Sequence, residues 1–211
     1  PPLRDRREPR PLAPGRPALS APSTALPTDT SARVREMYEA HPYPRWQTVA
    51  QSHLTDIPTF VRALTGRTRV PNTKRVLIAG CGTGRQAAHT AISFRDADIL
   101  ALDLSLTSLG YAARRAQALG LANLSFVHGD LLHLDTVAEQ FALIFCSGVL
   151  HHLADPFAGW EQLVHRLHPH GVMKVALYST IARRPVAEAR SLIASQRFAA
   201  NDEGIRECRR L

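Results

Sequence analysis

The sequence predicts an α/β fold in which a mostly parallel sheet is covered by helices on both faces. From Arg75 onward, short apolar or β-branched runs alternate with amphipathic stretches. Such alternation is typical of βαβ units, whose crossover helices cover a parallel sheet. Asp155 followed by Pro156 predicts a helix start. The strand candidates are residues 76–79, 99–102, 124–127, 141–146 and 171–178, and the helix candidates between them are residues 83–94, 106–119 and 156–167.

Length and composition are those of an ordinary globular protein. The chain has 211 residues, of which 45% are hydrophobic and 21% charged, as in most soluble domains. Its longest mostly apolar run, residues 141–150, is too short for a bilayer span of about 20 residues. The cysteine count is odd and no pair has CxxC spacing, which argues against a disulfide scaffold or a cysteine zinc site. We therefore predict a cytoplasmic protein without a membrane segment or a bound metal.

The positive charge is concentrated near the amino terminus. The net charge is +8 at pH 7, and residues 1–35 hold seven arginines against three acidic residues, a surplus of +4. Half of the net charge therefore falls in a short segment. This distribution argues against a nucleic-acid partner for the folded part, although the overall balance is basic.

Three segments of the chain differ in amino-acid composition and in apolar periodicity. Residues 1–29 are rich in Pro and Arg and lack apolar periodicity, which predicts a disordered leader. Residues 30–70 predict a helical cap segment: one amphipathic helix stops at Pro42, and a second runs from Pro58 to a C-terminal Gly66. Residues 71–211 hold the strand and helix candidates of the main domain. Since the chain starts with Pro1, we expect it to be a piece of a longer protein.

A glycine-rich turn follows the first strand candidate. Gly80, Gly82 and Gly84 lie between that strand and a helix rich in small residues. Glycines there let a ligand approach the backbone, and the helix N-terminus offers free N–H groups. Asp103, at the end of the second strand, has a carboxylate that could accept hydrogen bonds from ribose hydroxyls. The alternatives are a plain glycine-rich turn and an aspartate that caps the next helix.

The glycine spacing separates two kinds of nucleotide site. Dinucleotide-binding folds use G-x-G-x-x-G, whereas the third glycine here comes one residue early. After the third strand, Gly129 and Asp130 form either a simple turn or an acceptor for an adenine amino group.

Four blocks in order resemble the class I S-adenosylmethionine-dependent methyltransferases. They are Val76-Leu77-Ile78-Ala79-Gly80-Cys81-Gly82-Thr83-Gly84, then Leu102-Asp103-Leu104-Ser105, then Gly129-Asp130-Leu131, and then Phe141 to Cys146 followed by Ser147-Gly148-Val149-Leu150-His151-His152-Leu153. The blocks Tyr43-Pro44-Arg45-Trp46 and Leu177-Tyr178-Ser179, with Ala182-Arg183-Arg184-Pro185, resemble a bacterial subgroup often joined to tetratricopeptide repeats. No such 34-residue repeat is visible in this sequence.

The resemblance implies a Rossmann-like, doubly wound sheet and a site for S-adenosylmethionine. It implies that Gly80, Cys81, Gly82 and Gly84 wrap the methionine end, that Asp103 with Leu104 holds the ribose, that Asp130 with Leu131 binds the adenine, and that Cys146 and Ser147 line the floor beneath the sulfonium. The family's fold usually ends with an antiparallel strand pair. After Tyr178 the sequence predicts only a helix and a charged tail, so we expect the pair to be missing and the domain to be truncated.

The sequence leaves the reacting groups open. His151 and His152 follow the fourth strand, at the edge where open α/β sheets bind ligands, and are either a base for a protonated acceptor or residues that bond to backbone. Tyr43, Arg45 and Trp46 either fold over the pocket or pack in the core, with Arg45 covering Trp46. His165, His168 and His170 have no companion ligands at metal spacing, so we expect a solvated helix end there.

Three functions are consistent with these features. The first is methyl transfer to an unidentified acceptor, a small molecule or a protein group. The Asn/Asp-Pro-Pro-aromatic block of methyltransferases that act on nucleic-acid bases is absent, since that place reads Ser147-Gly148-Val149-Leu150. The others are a non-catalytic or truncated nucleotide-binding module and an NAD(P)-dependent oxidoreductase.

Overall fold

The computed structural model describes residues 19–20, 29–50, 53–196, 198–199 and 201–210. It divides the chain into two compact units, Pro1–Ala176 and Leu177–Leu211. Most of the predicted leader lies outside the described residues. Among the described residues, no helix has both the length and the apolar character that a bilayer span requires.

The first unit contains a parallel sheet with strand order β1-β4-β3-β2-β5-β6. Every strand pairing among the described residues is parallel, and β1 contributes two residues at one edge. The predicted Rossmann-like sheet is confirmed. The strands are β1 (Leu19–Ser20), β2 (Arg75–Ala79), β3 (Asp98–Asp103), β4 (Leu124–His128), β5 (Phe141–Ser147) and β6 (Leu167–Ala176).

Helices connect the strands and precede them. Asp155 accepts hydrogen bonds from the N–H groups of Phe157 and Ala158, so the predicted helix start at Pro156 is confirmed. The helices of the first unit are α1 (Asp29–Ala40), α2 (Ile57–Thr65), α3 (Arg85–Ser93), α4 (Leu106–Ala118) and α5 (Pro156–Arg166), with 3₁₀ helices at Leu131–Thr136 and Leu150–His152.

Two apolar layers cover the two faces of the sheet. Ile78 and Ile99 point to the face covered by α2, α3 and α4. The buried side chain of Leu109 is one of those that α4 contributes to this layer. Leu77 and Ile144 point to the opposite face, which the two 3₁₀ helices and α5 cover. Because consecutive side chains of a strand point to opposite faces, a strand buried on both faces reads as a continuous apolar run.

The last strand differs from its prediction in both bounds. We predicted residues 171–178, but β6 begins at Leu167 and ends at Ala176. Leu167 lies opposite Phe141, whereas the next pair along is Val172 with Leu143, so β6 carries a bulge of extra residues. The bulge accommodates Pro169, which has no N–H to donate to a regular ladder.

The second unit contains α6 (Arg184–Gln196) and α7 (Asp202–Cys208). We predicted a charged tail where α7 lies. The side chain of Asn201 accepts from the Gly204 N–H at 2.9 Å and caps the first turn of α7. This N-cap gives a short helix where composition alone predicts a tail.

Candidate functional site

The glycine turn between β2 and α3 is tied to the neighbouring strand. The N–H groups of Gly80 and Cys81 both donate to the Leu102 carbonyl, at 2.8 and 2.9 Å. Gly80 has φ 69°, and a Cβ built on it would lie 2.3 Å from the Val149 side chain. The turn therefore requires glycine for its backbone conformation and for the close approach of the loop after β5.

The side chain of Asp103 at the end of β3 holds this turn and the start of α4 together. Its Oδ2 accepts from the Gly82 N–H at 2.6 Å, and its Oδ1 accepts from the Ser105 N–H at 2.9 Å. Burial raises the pKa of Asp103, while N–H groups of Ser105, Gly82 and Leu104 and the charge of His128 counteract part of that rise. Each carboxylate oxygen can accept more than one hydrogen bond, so both can still receive a ribose hydroxyl.

Leu104, which follows Asp103, is half-buried. Its carbonyl oxygen lies 3.0 Å from His128 Nε2, so that ring nitrogen carries the hydrogen in this contact. The link joins the loop after β3 to the end of β4.

Asp130, two residues after β4, has one carboxylate oxygen with no hydrogen-bond partner in the described part of the chain. Its Oδ1 accepts from the Leu132 N–H at 2.9 Å and caps the 3₁₀ helix that begins at Leu131. Its Oδ2 is buried, in a residue that is 7% exposed, and receives no hydrogen bond from residues 19–20, 29–50, 53–196, 198–199 and 201–210. A buried carboxylate oxygen without a donor is costly. A donor from a ligand would remove that cost.

The two cysteines of the site are buried thiols. Burial, followed by the charge of Asp103, raises the pKa of Cys81 well above its ordinary value. Burial raises the pKa of Cys146 to about 12, against a small opposite effect of the Leu150 backbone. The Cys146 side chain packs in the second apolar layer beside Ile144. Both cysteines therefore stay protonated near neutral pH.

Ser147 and Leu131 are two further predicted site residues, and Gly148 follows Ser147 in the chain. Ser147 ends β5 and is half-buried. Gly148 has φ 77°, and its N–H donates to the Ala176 carbonyl at 3.0 Å. Leu131 is buried in the second apolar layer.

The two adjacent histidines lie in the 3₁₀ helix after β5. The rings of His151 and His152 are 4.3 Å apart between centroids, and both residues are half-buried. Tyr38 of α1 packs edge-on against His152 at a centroid distance of 6.1 Å. The structure thus places the histidines at the carboxyl edge of the sheet, next to α1.

The segment Tyr43–Trp46 crosses the glycine turn. The hydroxyl of Thr83 donates to the Pro44 carbonyl, and the Trp46 indole N–H donates to the Thr83 carbonyl at 2.8 Å. The Tyr43 carbonyl lies 3.5 Å from a Cβ built on Gly82. We call residues 43–46 the strap, and the turn beneath it is where the resemblance implies the cofactor.

The strap combines parts of both alternatives left open by the sequence. Trp46 is buried at 6% exposure and Tyr43 is exposed at 73%. Arg45 is exposed, and the guanidinium over the Trp46 ring belongs to Arg115, at 5.2 Å from the ring centroid. The expectation that Arg45 covers Trp46 is therefore wrong, because α4 supplies the covering arginine.

Sequence reasoning missed three residues that bind this region together. Glu39 accepts from the N–H groups of Leu106 and Thr107, at 2.6 and 3.1 Å. Tyr111 exchanges hydrogen bonds with the backbone of Trp46, and Thr83 lies within the glycine motif. Only Thr83 had a signal, its position between two motif glycines. Glu39 is 67 residues from its partner, a distance that local patterns do not bridge.

No group of three or more His, Cys, Asp or Glu residues that could hold a metal ion occurs in the described part of the chain. His168 is engaged otherwise: its Nε2 lies 3.0 Å from Asn72 Oδ1, and its Nδ1 accepts from the His170 N–H at 3.1 Å. Both ring nitrogens of His168 thus make hydrogen bonds within the protein, at the bulge of β6.

Comparison with known proteins agrees with this geometry. Residues 76–171 match a family model described as a methyltransferase domain. The magnesium protoporphyrin IX methyltransferase of Synechocystis PCC 6803, solved with bound SAH, aligns with a TM-score of 0.57 and 18% identity over 85% of this chain and 87% of that one. Residues 76–171 are thus similar to a methyltransferase domain, and the fold of the chain is that of the solved methyltransferase.

Two curated relatives extend the comparison. An uncharacterized protein of Synechococcus sp. is 31% identical over 201 residues, which are 86% of this chain and 46% of that protein. The trans-aconitate 2-methyltransferase of Deinococcus radiodurans is 36% identical over 101 residues, which are 48% of this chain and 36% of the enzyme. The chain spans less than half the length of either relative.

Proposed function

We propose that this chain is an S-adenosylmethionine-dependent methyltransferase that acts on a small molecule or a protein group. The observation that carries the proposal is the buried Asp130 Oδ2, which has no donor among the residues that the structure describes. The adenine amino group of the cofactor would supply that donor. Asp103 ends the adjacent strand, and the glycine turn follows the strand beyond it. The three groups therefore succeed one another along one edge of the sheet.

The residues fit the three parts of the cofactor. Gly80, Gly82 and Gly84 would leave room for the methionine end, Asp103 would accept from the ribose hydroxyls, and Asp130 would accept from the adenine. S-adenosylmethionine supplies a methyl group on a sulfonium: a nucleophilic atom of the acceptor bonds to the methyl carbon while the carbon–sulfur bond breaks and its electron pair stays on sulfur. The chain's own task is alignment and exclusion of water.

The titrating groups of the site are compatible with this reaction. Cys81 and Cys146 have raised pKa values, so neither is a thiolate that competes for the methyl group. His151 and His152 would serve as bases when the acceptor arrives protonated. We propose Tyr43 and Arg45 as exposed strap residues on the acceptor side.

An oxidoreductase using NADP is disfavoured by the loop after β3. In folds that bind NADP, a basic residue near this position accommodates the 2′-phosphate. Here the N–H groups of Leu106 and Thr107 at the start of α4 already bond to the Glu39 carboxylate, and Asp103 adds a second acidic group nearby. Two carboxylates at this position would repel a phosphate.

The proposal also covers the subgroup of the chain and its cellular compartment. The strap block and the block 182–185 support membership of this chain in the bacterial subgroup often joined to tetratricopeptide repeats. Sequencing the gene on both sides of this segment and searching it for 34-residue repeats tests this membership. The cysteine pattern supports a cytoplasmic setting, which fractionation of cells expressing the tagged protein would test.

The proposal is tested by calorimetric titration with S-adenosylhomocysteine, with NADH and NADPH in parallel. We expect a dissociation constant of roughly 1–100 μM for S-adenosylhomocysteine alone. Asp103→Ala should weaken binding by about 1 to 3 kcal/mol through lost hydrogen bonds to a charged group. Asp98→Ala, at the other end of the same strand, is the matched control.

Either of two results overturns the proposal. One is binding of a nicotinamide cofactor but not of S-adenosylhomocysteine by the folded protein. The other is the absence of S-adenosylhomocysteine binding by the folded protein. Binding without methyl transfer to any offered acceptor would favour the non-catalytic module. Circular dichroism of each variant establishes that it is folded.

A further inference from the structure

Two neighbouring residues of α1 reach the two loops that flank the glycine turn. Glu39 bonds to the start of α4, after β3, and Tyr38 packs against His152, after β5. In the sheet, β3 and β5 lie on either side of β2, whose end carries the glycine turn. The end of α1 therefore spans the carboxyl edge of the sheet across β2.

The attachment on the β3 side is a charged one. Glu39 Oε1 accepts from Leu106, and Oε2 accepts from both the N–H and the hydroxyl of Thr107. A carboxylate at a helix N-terminus also interacts favourably with the helix dipole. Burial alone would raise the pKa of Glu39, but the hydrogen bonds from Thr107 and Leu106 and the charge of His128 bring it below its ordinary value.

The chain after α1 adds a third attachment. The strap begins a few residues after Glu39 and bonds to Thr83 through Pro44 and Trp46. Residues 38–46 thus contact the loops after β5, β3 and β2 in that order along the chain. The glycine turn, Asp103 and Ser147 lie at these loops, whereas Asp130 follows β4.

We propose that Tyr38 and Glu39 form a clasp that gates passage of the cofactor between solvent and the glycine turn, with Glu39 as the positioning residue. The inference rests on the proposed function. Both attachments join protein groups only, so neither takes its hydrogen-bond or ring partner from a cofactor. Opening the clasp therefore lies on the path of entry as well as on the path of exit.

The test is surface plasmon resonance with S-adenosylhomocysteine over immobilised wild-type protein, Glu39→Ala and Glu36→Ala. Glu36 is exposed on the same helix. Glu36→Ala therefore changes the net charge and the helix propensity of α1 in the same way as Glu39→Ala does. We expect Glu39→Ala to raise both the association and the dissociation rate by roughly three- to tenfold, the scale of a lost helix cap. Glu36→Ala should leave both rates within about twofold.

Glu39→Gln separates gating from general damage. It keeps a neutral acceptor for one N–H group, so its rates should fall between those of wild type and Glu39→Ala. A variant that is merely loosened would show faster dissociation together with slower or unchanged association. Circular dichroism of all three variants establishes that each is folded.

The outcomes distinguish the clasp from the function on which it rests. Wild-type protein that does not bind S-adenosylhomocysteine overturns the proposed function, and the clasp with it. Wild-type binding with equal rates in Glu39→Ala overturns the clasp alone. A rise in dissociation without a rise in association also overturns it, because a gate acts in both directions.

Discussion

At the scale of single residues, the two carboxylate oxygens of Asp130 have different roles. Oδ1 satisfies the Leu132 N–H, and Oδ2 remains for a ligand. Asparagine has an NH2 group, which donates, in place of one carboxylate oxygen, so it cannot accept a hydrogen bond at both positions. Asp130→Asn should therefore weaken S-adenosylhomocysteine binding about tenfold, while the free energy of unfolding changes by less than about 1 kcal/mol. Calorimetry and urea unfolding measure the two quantities.

Asp155→Asn is the control for that substitution. Asp155 also caps a helix, but it is exposed. Its replacement should leave the affinity for S-adenosylhomocysteine unchanged. An equal loss of affinity in both variants, or none in Asp130→Asn, would contradict the adenine assignment.

The buried thiols provide a second residue-scale prediction. With a pKa of about 12, Cys146 is a thiolate in about one part in ten thousand at pH 8. Burial raises the pKa of Cys81 as well, whereas Cys208 is half-buried. Iodoacetamide at pH 8 should modify Cys208 alone in the folded protein and all three cysteines in denatured protein. Mass spectrometry measures this, and rapid native labelling of Cys146 would refute the burial.

At the scale of elements, the glycine turn and α4 are packed too closely for a side chain. Gly84 has φ 83°, and a Cβ there would lie 2.5 Å from Ala112 Cβ. Gly66 at the end of α2 has φ 66° but open space around it. Gly84→Ala should lower the free energy of unfolding by about 2 to 4 kcal/mol, against about 1 for Gly66→Ala, since only the first adds overpacking to backbone strain.

Denaturant unfolding of both variants decides this prediction. Both glycines have a positive φ, so backbone strain lowers the free energy of unfolding of both variants by a similar amount. The difference between the two losses of unfolding free energy therefore measures the contact between the turn and α4. Equal losses would mean that α4 moves away from the turn at little cost.

Elements were predictable where the signal is local. Asp155 and Pro156 mark the start of α5, and Gly66 marks the end of α2. The bulge of β6 was missed, because it depends on how residues 168–171 pair with β5 rather than on their own preferences. A register is a property of two strands, and one strand's sequence does not contain it.

At the scale of the whole molecule, the alternation of apolar runs was enough to predict a mostly parallel sheet with helices on both faces, and the resemblance added the doubly wound arrangement. Of the candidate site, the glycines and the strand-end aspartates were found because their spacing along the chain is characteristic. Glu39, Tyr111 and Arg115 were not, because each acts on a segment more than 60 residues away. Such contacts arise only when the sheet brings α1, the strap and α4 to one edge.

The proposed function depends on where the cofactor lies, which a crystal structure of this chain with S-adenosylhomocysteine measures directly. We expect the adenine amino group within about 2.7–3.2 Å of Asp130 Oδ2, the ribose hydroxyls at Asp103, and the amino-acid end beside Gly80 and Gly82. An adenine bound elsewhere, with Asp130 Oδ2 still lacking a donor, would contradict the central claim.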